Sequence, residues 1–123
     1  MRGLMIAIIT AAVPISSAGA QNMPLSQFLA KADALEKKGA LALFSGDIAL
    51  LKREVQNSGK QLRAEQVAAQ KAGRKPVTCM PAQASMNSNE LLAHFRSIPA
   101  PQRGMSVKAA LATLMRKKYP CPA

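Results

Sequence analysis

Two cysteines, Cys79 and Cys121, are the residues whose chemistry bears most directly on the structure. Thiols can pair as a disulfide, act as nucleophiles or bind metal ions. Neither cysteine has a histidine or another cysteine at the short spacing that metal sites use. A disulfide is therefore the favoured interpretation, ahead of a reactive thiol or half of a metal site.

The first twenty residues have the pattern of a secretory signal peptide. Arg2 supplies a positive start, residues 4–13 form an apolar run, and Ala18-Gly19-Ala20 has the small-x-small form that signal peptidase accepts. The run is well below the ~20 residues that span a bilayer. We expect cleavage near Ala20-Gln21, which leaves a single periplasmic or secreted domain at 21–123. Two cysteines in an oxidising compartment most simply form a disulfide.

The residues that could carry catalysis form no recognisable arrangement. His94 is the only histidine, and no Ser or Cys nucleophile has a spacing that would pair with it. The six carboxylates are scattered among basic residues, which is typical of solvated helix faces. A Gly-rich phosphate loop, an HExxH motif and a CxxC motif are all absent from the sequence. The sequence predicts no catalytic residue, no metal site and no cofactor, and a protein that is not an enzyme.

The composition favours an all-α fold. With three Phe, one Tyr and no Trp, the core must consist mainly of Leu, Ile, Val, Met and Ala. Apolar residues at helical spacing predict a first helix over 24–38. A second element without proline runs over 40–72. Gly46 and Asn57-Ser58-Gly59 are weak points in this element, and a break at Ser58-Gly59 would divide it into two helices.

Two shorter helices are predicted between the cysteines. Asn87 and Ser106 are N-cap residues for them, and Pro120 ends the second. A bond between Cys79 and Cys121 would staple the two helices together. The predicted fold is thus a small bundle of about four helices with a disulfide-stapled C-terminal helical hairpin.

The chain is strongly basic, with 17 Lys and Arg against 6 Asp and Glu and a formal charge of +11. Loss of Arg2 with the signal peptide lowers +11 to +10. At 100° per residue, six basic residues of the second element fall on one arc beside its apolar side. They are Lys52, Arg53, Lys60, Arg63, Lys71 and Arg74. The apolar side comprises Phe44, Ile48, Leu51, Val55, Leu62 and Ala69.

The basic arc is a candidate contact for an anion or for a partner protein. A solvated helix face is an equally weighted alternative. Export and the lack of interleaved aromatic residues argue against nucleic acid. In a bacterial envelope the anions available are lipid headgroups, lipopolysaccharide, acidic glycans and acidic proteins, and net positive charge speeds association with any of them.

Four short motifs in the last third of the chain are shared with a known family. They are Cys79-x-Pro81, Leu91-Leu92 in a helix that ends before Pro99, Ala109-Ala110-Leu111 at the start of the last helix, and Tyr119-Pro120-Cys121. This stretch resembles the C-terminal half of the Rap/Tai family. These small periplasmic immunity proteins protect bacteria from amidase toxins delivered by type VI secretion.

The resemblance implies a compact, mostly helical domain in which Cys79 and Cys121 pair. Family members block a toxin by occluding its active site and often form dimers. We therefore expect an exported interaction protein that binds a peptidoglycan-amidase toxin or another envelope protein, with a homodimer as one expected state. The alternative is a basic envelope protein that binds anionic lipid, lipopolysaccharide or glycan through the 52–75 helix face, at the membrane surface and without a membrane span.

Overall fold

Residues 23–122 fold into a bundle of four α-helices. The structure, a computed structural model, describes residues 23–122 without the side chain of Leu43; the expected signal peptide and cleavage site lie outside this range. The helices are α1 (Leu25–Lys38), α2 (Gly46–Lys71), α3 (Ser88–Ser97) and α4 (Val107–Lys118), with short 3-10 helices at Gly39–Phe44 and Ala100–Gln102. Because the described residues contain no strand, the prediction of an all-α bundle is confirmed.

The ends of the helices follow local sequence signals. The Asn87 side chain accepts a hydrogen bond from the Glu90 amide at 2.8 Å, and Ser106 does the same for Ala109 at 3.1 Å. Each bond satisfies an amide that has no partner within its own helix. Gly73 closes α2 with a φ of 69°, a left-handed conformation that costs glycine little.

The second element breaks beside Gly46, the first of its two weak points, and continues through the other. Ser45 is extended and caps α2 through a bond from the Asp47 amide, so the chain divides there and not at Ser58-Gly59. Ser58 is buried, and a Cβ atom on Gly59 would lie 4.0 Å from the Leu111 side chain. Packing against α4 therefore outweighs the weak helix propensity of this pair.

Phe44 is the one predicted core residue of this element that lies in solvent. It belongs to the 3-10 helix Gly39–Phe44, outside the rotational phase of α2, and its side chain is 87% exposed. Leu51, Leu62 and Ala69 are buried as expected.

The core forms around α4, which contacts each of the other three helices. Leu25, Phe95, Val107 and Ala110 are completely buried. The rings of Phe28 and Phe95 meet edge to face with centroids 5.4 Å apart, an arrangement that joins α1 to α3.

The start of α1 is tied to the residues that precede α4. The Leu25 amide donates to the Met105 carbonyl at 2.8 Å, and the Val107 amide donates to the Met23 carbonyl at 2.9 Å. These bonds connect residues about eighty positions apart. They fix the first described residues against α4 and close the bundle.

The predicted disulfide is present. Cys79 and Cys121 are bonded, with their Cα atoms 5.1 Å apart, and the bridge encloses α3 and α4. The chain before α3 is also held by the buried amide of Gln66, whose Oε1 accepts from the Met80 amide at 2.8 Å and from the Thr78 hydroxyl at 3.1 Å. Its Nε2 donates to the Met80 carbonyl at 2.9 Å. The loop that leads into the stapled hairpin is therefore also bonded to the C-terminal part of α2.

Candidate functional site

The predicted basic arc is carried by a single unbroken helix. Because α2 continues without a break through Ser58-Gly59, its basic residues keep the angular order that the sequence predicts. They are Lys52, Arg53, Lys60, Arg63 and Lys71. The distance from Lys52 to Lys71 along the helix is about 28 Å at 1.5 Å per residue. Lys60, Arg63 and Lys71 border one shallow surface together with Val67, which is 40% exposed. We call this row of cations, from Lys52 to Lys71, the basic face.

Arg74 does not join the basic face. The left-handed Gly73 ends α2, and the Arg74 amide turns back to bond the Ala69 carbonyl at 2.8 Å. Its side chain lies with Lys75 beside a different depression, which Glu65 and Thr78 also border. The predicted arc included Arg74 because it continued the helical spacing past Gly73, which ends the helix.

Most of the carboxylates form ion pairs within the fold. Five of the six in residues 23–122 form ion pairs: Lys31–Asp47, Arg96–Asp33, Arg96–Glu36, Lys108–Glu65 and Lys118–Glu90. The sixth belongs to Glu54, which is buried. Of the sixteen Lys and Arg residues in this range, twelve have no carboxylate of residues 23–122 within 4.0 Å. Apart from Arg63 and Arg103, which are half-buried, these twelve residues are exposed.

A groove of about 550 Å³ runs beside the middle of the basic face. Three methionines line it together with Leu111 and Val55: Met80 and Met86 from the loop before α3, and Met115 from α4. Its polar border is formed by Lys60, Arg63, Gln56 and Ser85. We call it the methionine groove. Methionine side chains adapt their shape to a partner and are common on binding surfaces.

Two features of α2 shape this groove. Gly59 lines it without a side chain, so the groove stays open against Leu111. The Arg63 guanidinium donates to the Pro81 carbonyl at 2.7 Å, which holds a positive charge at the border. A planar guanidinium held in this way still has free N–H donors for a carboxylate.

Glu54 is the buried polar centre of α2. Its Oε1 accepts from the Met23 amide at 3.2 Å, whereas its Oε2 and the Ser58 hydroxyl, one turn away, have no partner among the described residues. Burial raises the pKa of Glu54, and the bond from Met23 lowers it in part. At 1% exposure this carboxyl cannot reach a partner, so its role is structural.

His94 forms a link between α3 and α4. Its Nε2 lies 2.7 Å from the Thr113 hydroxyl, and that hydroxyl donates to the Ala110 carbonyl at 2.6 Å. Because the hydroxyl proton is used in this way, Nε2 is the donor and is not placed to deprotonate Thr113. Burial and the positive charge of Lys117 lower the pKa of His94, which keeps the ring neutral at pH 7.

Other kinds of site find little support in the described part of the chain. No group of three or more His, Cys, Asp and Glu side chains in residues 23–122 is arranged to hold a metal ion. None of the helices described is long and apolar enough to cross a membrane. Comparisons of the chain with protein-family models, with curated proteins and with solved structures found no match.

Sequence reasoning missed the methionine groove and the exposure of Leu41 and Phe44. The groove joins residues from α2, α4 and the loop before α3, so no local pattern shows it. Phe44 did carry a signal, because Ser45, an N-cap residue followed by Gly46 and Asp47, marks a helix start immediately after it.

Proposed function

We propose that the chain is a non-enzymatic, exported interaction protein that binds an acidic, partly apolar segment of a partner protein. The segment would lie along the basic face, with its apolar side chains in the methionine groove. The resemblance of the Cys79–Cys121 stretch to Rap/Tai immunity proteins supports a peptidoglycan-amidase toxin as the partner, blocked by occlusion of its active site.

The observation that carries the proposal is the position of the groove beside the basic face. Lys60 and Arg63 belong to both surfaces, so one ligand can contact cations and apolar side chains together. A glycan is attracted to this surface by charge alone because it has no apolar groups to fill the groove, and the flat surface of a bilayer does not enter a concave groove. A protein segment with alternating acidic and apolar residues complements both parts.

Affinity capture from periplasmic extract, at low and at high salt, tests the proposal with the oxidised mature chain as bait. We expect one stoichiometric protein partner that survives high salt, because groove contacts are not screened as exposed charges are. Two variants test the charges and the groove separately. Lys60→Glu/Arg63→Glu reverses the shared charges, and Gly59→Leu fills the groove with all charges kept.

Both variants should lose the partner. The matched control is Arg116→Glu/Lys117→Glu, which makes the same change in charge at two exposed residues of α4 away from the groove. It should retain the partner. Capture of lipid, lipopolysaccharide or glycan alone, released by high salt and unaffected by Gly59→Leu, would refute the proposal and favour the anionic-surface alternative.

A further inference from the structure

The 3-10 helix Gly39–Phe44 presents a projecting apolar surface at the corner between α1 and α2. The Leu41 side chain is 69% exposed and that of Phe44 is 87% exposed. In a 3-10 helix, residues three positions apart lie above one another. The two side chains therefore project on the same side of the turn. With this exposure they add little to the packing of the bundle, so their apolar character needs an explanation outside the fold.

The charges around this turn are positive. Lys37 and Lys38 precede it directly and are exposed, and neither forms an ion pair with a carboxylate of residues 23–122. The acidic residues nearest to the turn in sequence are already paired. Glu36 pairs with Arg96 at 2.7 Å, and Asp47 pairs with Lys31 at 3.5 Å. A binding partner of the turn thus contacts two apolar side chains beside two ammonium groups that form no ion pair with a described carboxylate.

We propose that the Gly39–Phe44 turn inserts Leu41 and Phe44 into the interface of an anionic phospholipid bilayer. The side chains enter the boundary between headgroups and acyl chains, and Lys37 and Lys38 contact the phosphates. This combination of apolar and basic residues is typical of proteins that lie on a membrane without crossing it.

The shape of the turn favours a bilayer over a protein partner. A projecting Phe and Leu need a matching cavity to bind a protein, whereas a bilayer accepts an apolar projection at any point on its surface. The turn is also separate from the methionine groove, which α2, α4 and residues 80–86 form. The proposal therefore stands independently of the proposed partner protein.

Tryptophan fluorescence provides a direct test because the chain contains no Trp. Phe44→Trp places the only indole in the turn, and Val77→Trp places it at another exposed apolar position, 57% exposed, as the matched control. Vesicles of phosphatidylglycerol and phosphatidylcholine should shift the emission of the Phe44→Trp protein to shorter wavelength and leave that of the Val77→Trp protein unchanged. Vesicles of phosphatidylcholine alone should have a much smaller effect.

Vesicle sedimentation measures the contribution of each part of the turn. Leu41→Gln/Phe44→Gln should weaken binding to the anionic vesicles about tenfold or more, since each buried apolar side chain contributes a comparable factor. Lys37→Gln/Lys38→Gln should weaken binding and reduce its dependence on salt. Unchanged melting temperatures would show that both variants remain folded.

Three outcomes would overturn the proposal. The first is wild-type binding by Leu41→Gln/Phe44→Gln. The second is loss of vesicle binding in Lys60→Glu/Arg63→Glu together with retained binding in Leu41→Gln/Phe44→Gln. The basic face, and not the turn, would then be the membrane contact. The third is an emission shift of the Phe44→Trp protein with a captured protein and none with vesicles. The capture experiment above is unaffected by these outcomes, so the two proposals can fail separately.

Discussion

Removal of the disulfide should lower the free energy of unfolding by about 4 kcal/mol. The bridge joins residues 42 positions apart. For a closed loop of that length, the chain-entropy relation gives a loss of roughly 13 cal/mol/K from the unfolded state, or ~4 kcal/mol at 25 °C. Marginal stabilities of roughly 5–15 kcal/mol make this a large fraction of the total.

The native structure around the bridge should survive its removal. Gln66 still bonds both main-chain groups of Met80, and Met80 remains buried in the core. Cys121 is exposed near the chain end, so its loss disturbs little packing. The effect should therefore come mainly from a less restricted unfolded chain, and the folded helix content should be unchanged.

Thermal and urea unfolding of a Cys79→Ser/Cys121→Ser variant, followed by circular dichroism, would measure this effect. A loss of ~4 kcal/mol corresponds to a fall in melting temperature of roughly 15–30 °C for a domain of this size. The urea m-value should rise, because an unfolded chain without the bridge exposes more surface. Reductant should reproduce the effect in the wild type and do nothing to the variant. A loss below about 1 kcal/mol would refute the loop-entropy argument.

Three further changes test single residues. Glu54→Gln should flatten the pH dependence of stability: a raised pKa means that the wild type is most stable with Glu54 protonated and loses that stability as the pH rises through the folded-state pKa. Urea unfolding at pH 4.5 and pH 7 would measure the change in the free energy of unfolding between the two pH values. An equal change in the wild type and in Glu54→Gln would contradict the prediction. Gln66→Ala removes three buried hydrogen bonds and leaves Met80 and Thr78 groups unpaired, so we expect a loss of about 2–4 kcal/mol in the same assay; a change within about 0.5 kcal/mol would show that water replaces the amide. His94→Ala should cost about 1 kcal/mol through the lost bond to Thr113 and leave partner capture unchanged; loss of capture by a folded variant would assign His94 a functional role.

In α2, tertiary contacts outweigh local propensity. Low helix propensity at Ser58-Gly59 indicated a weak point, but propensity differs by only about 0.5–1 kcal/mol per residue and contact with Leu111 decides the outcome. Periodicity placed Phe44 in the core because it assumed one continuous helix from 40 to 72. The chain divides at Ser45, and the residue turns out to solvent.

For the candidate site too, one part was predictable from the sequence and another part depends on tertiary contacts. The order of basic residues along α2 was readable from the sequence, since 100° per residue fixes their relative angles once the helix is continuous. Which basic residues of the chain form ion pairs was not readable. Arg96 in α3, for example, pairs with Asp33 and Glu36 of α1, which lie 63 and 60 positions earlier.

By itself the sequence determined the helical class, the helix ends at Asn87 and Ser106, and the pairing of the only two cysteines. Composition determines the helical class, and local hydrogen bonding determines the helix starts. Two cysteines in one chain allow only one intramolecular pairing. The tertiary structure alone decided that Glu54 is buried, that Gln66 pins the stapled hairpin to α2, and that three methionines meet in a groove. Such features arise from contacts between residues far apart in the chain, whose energies no local pattern records.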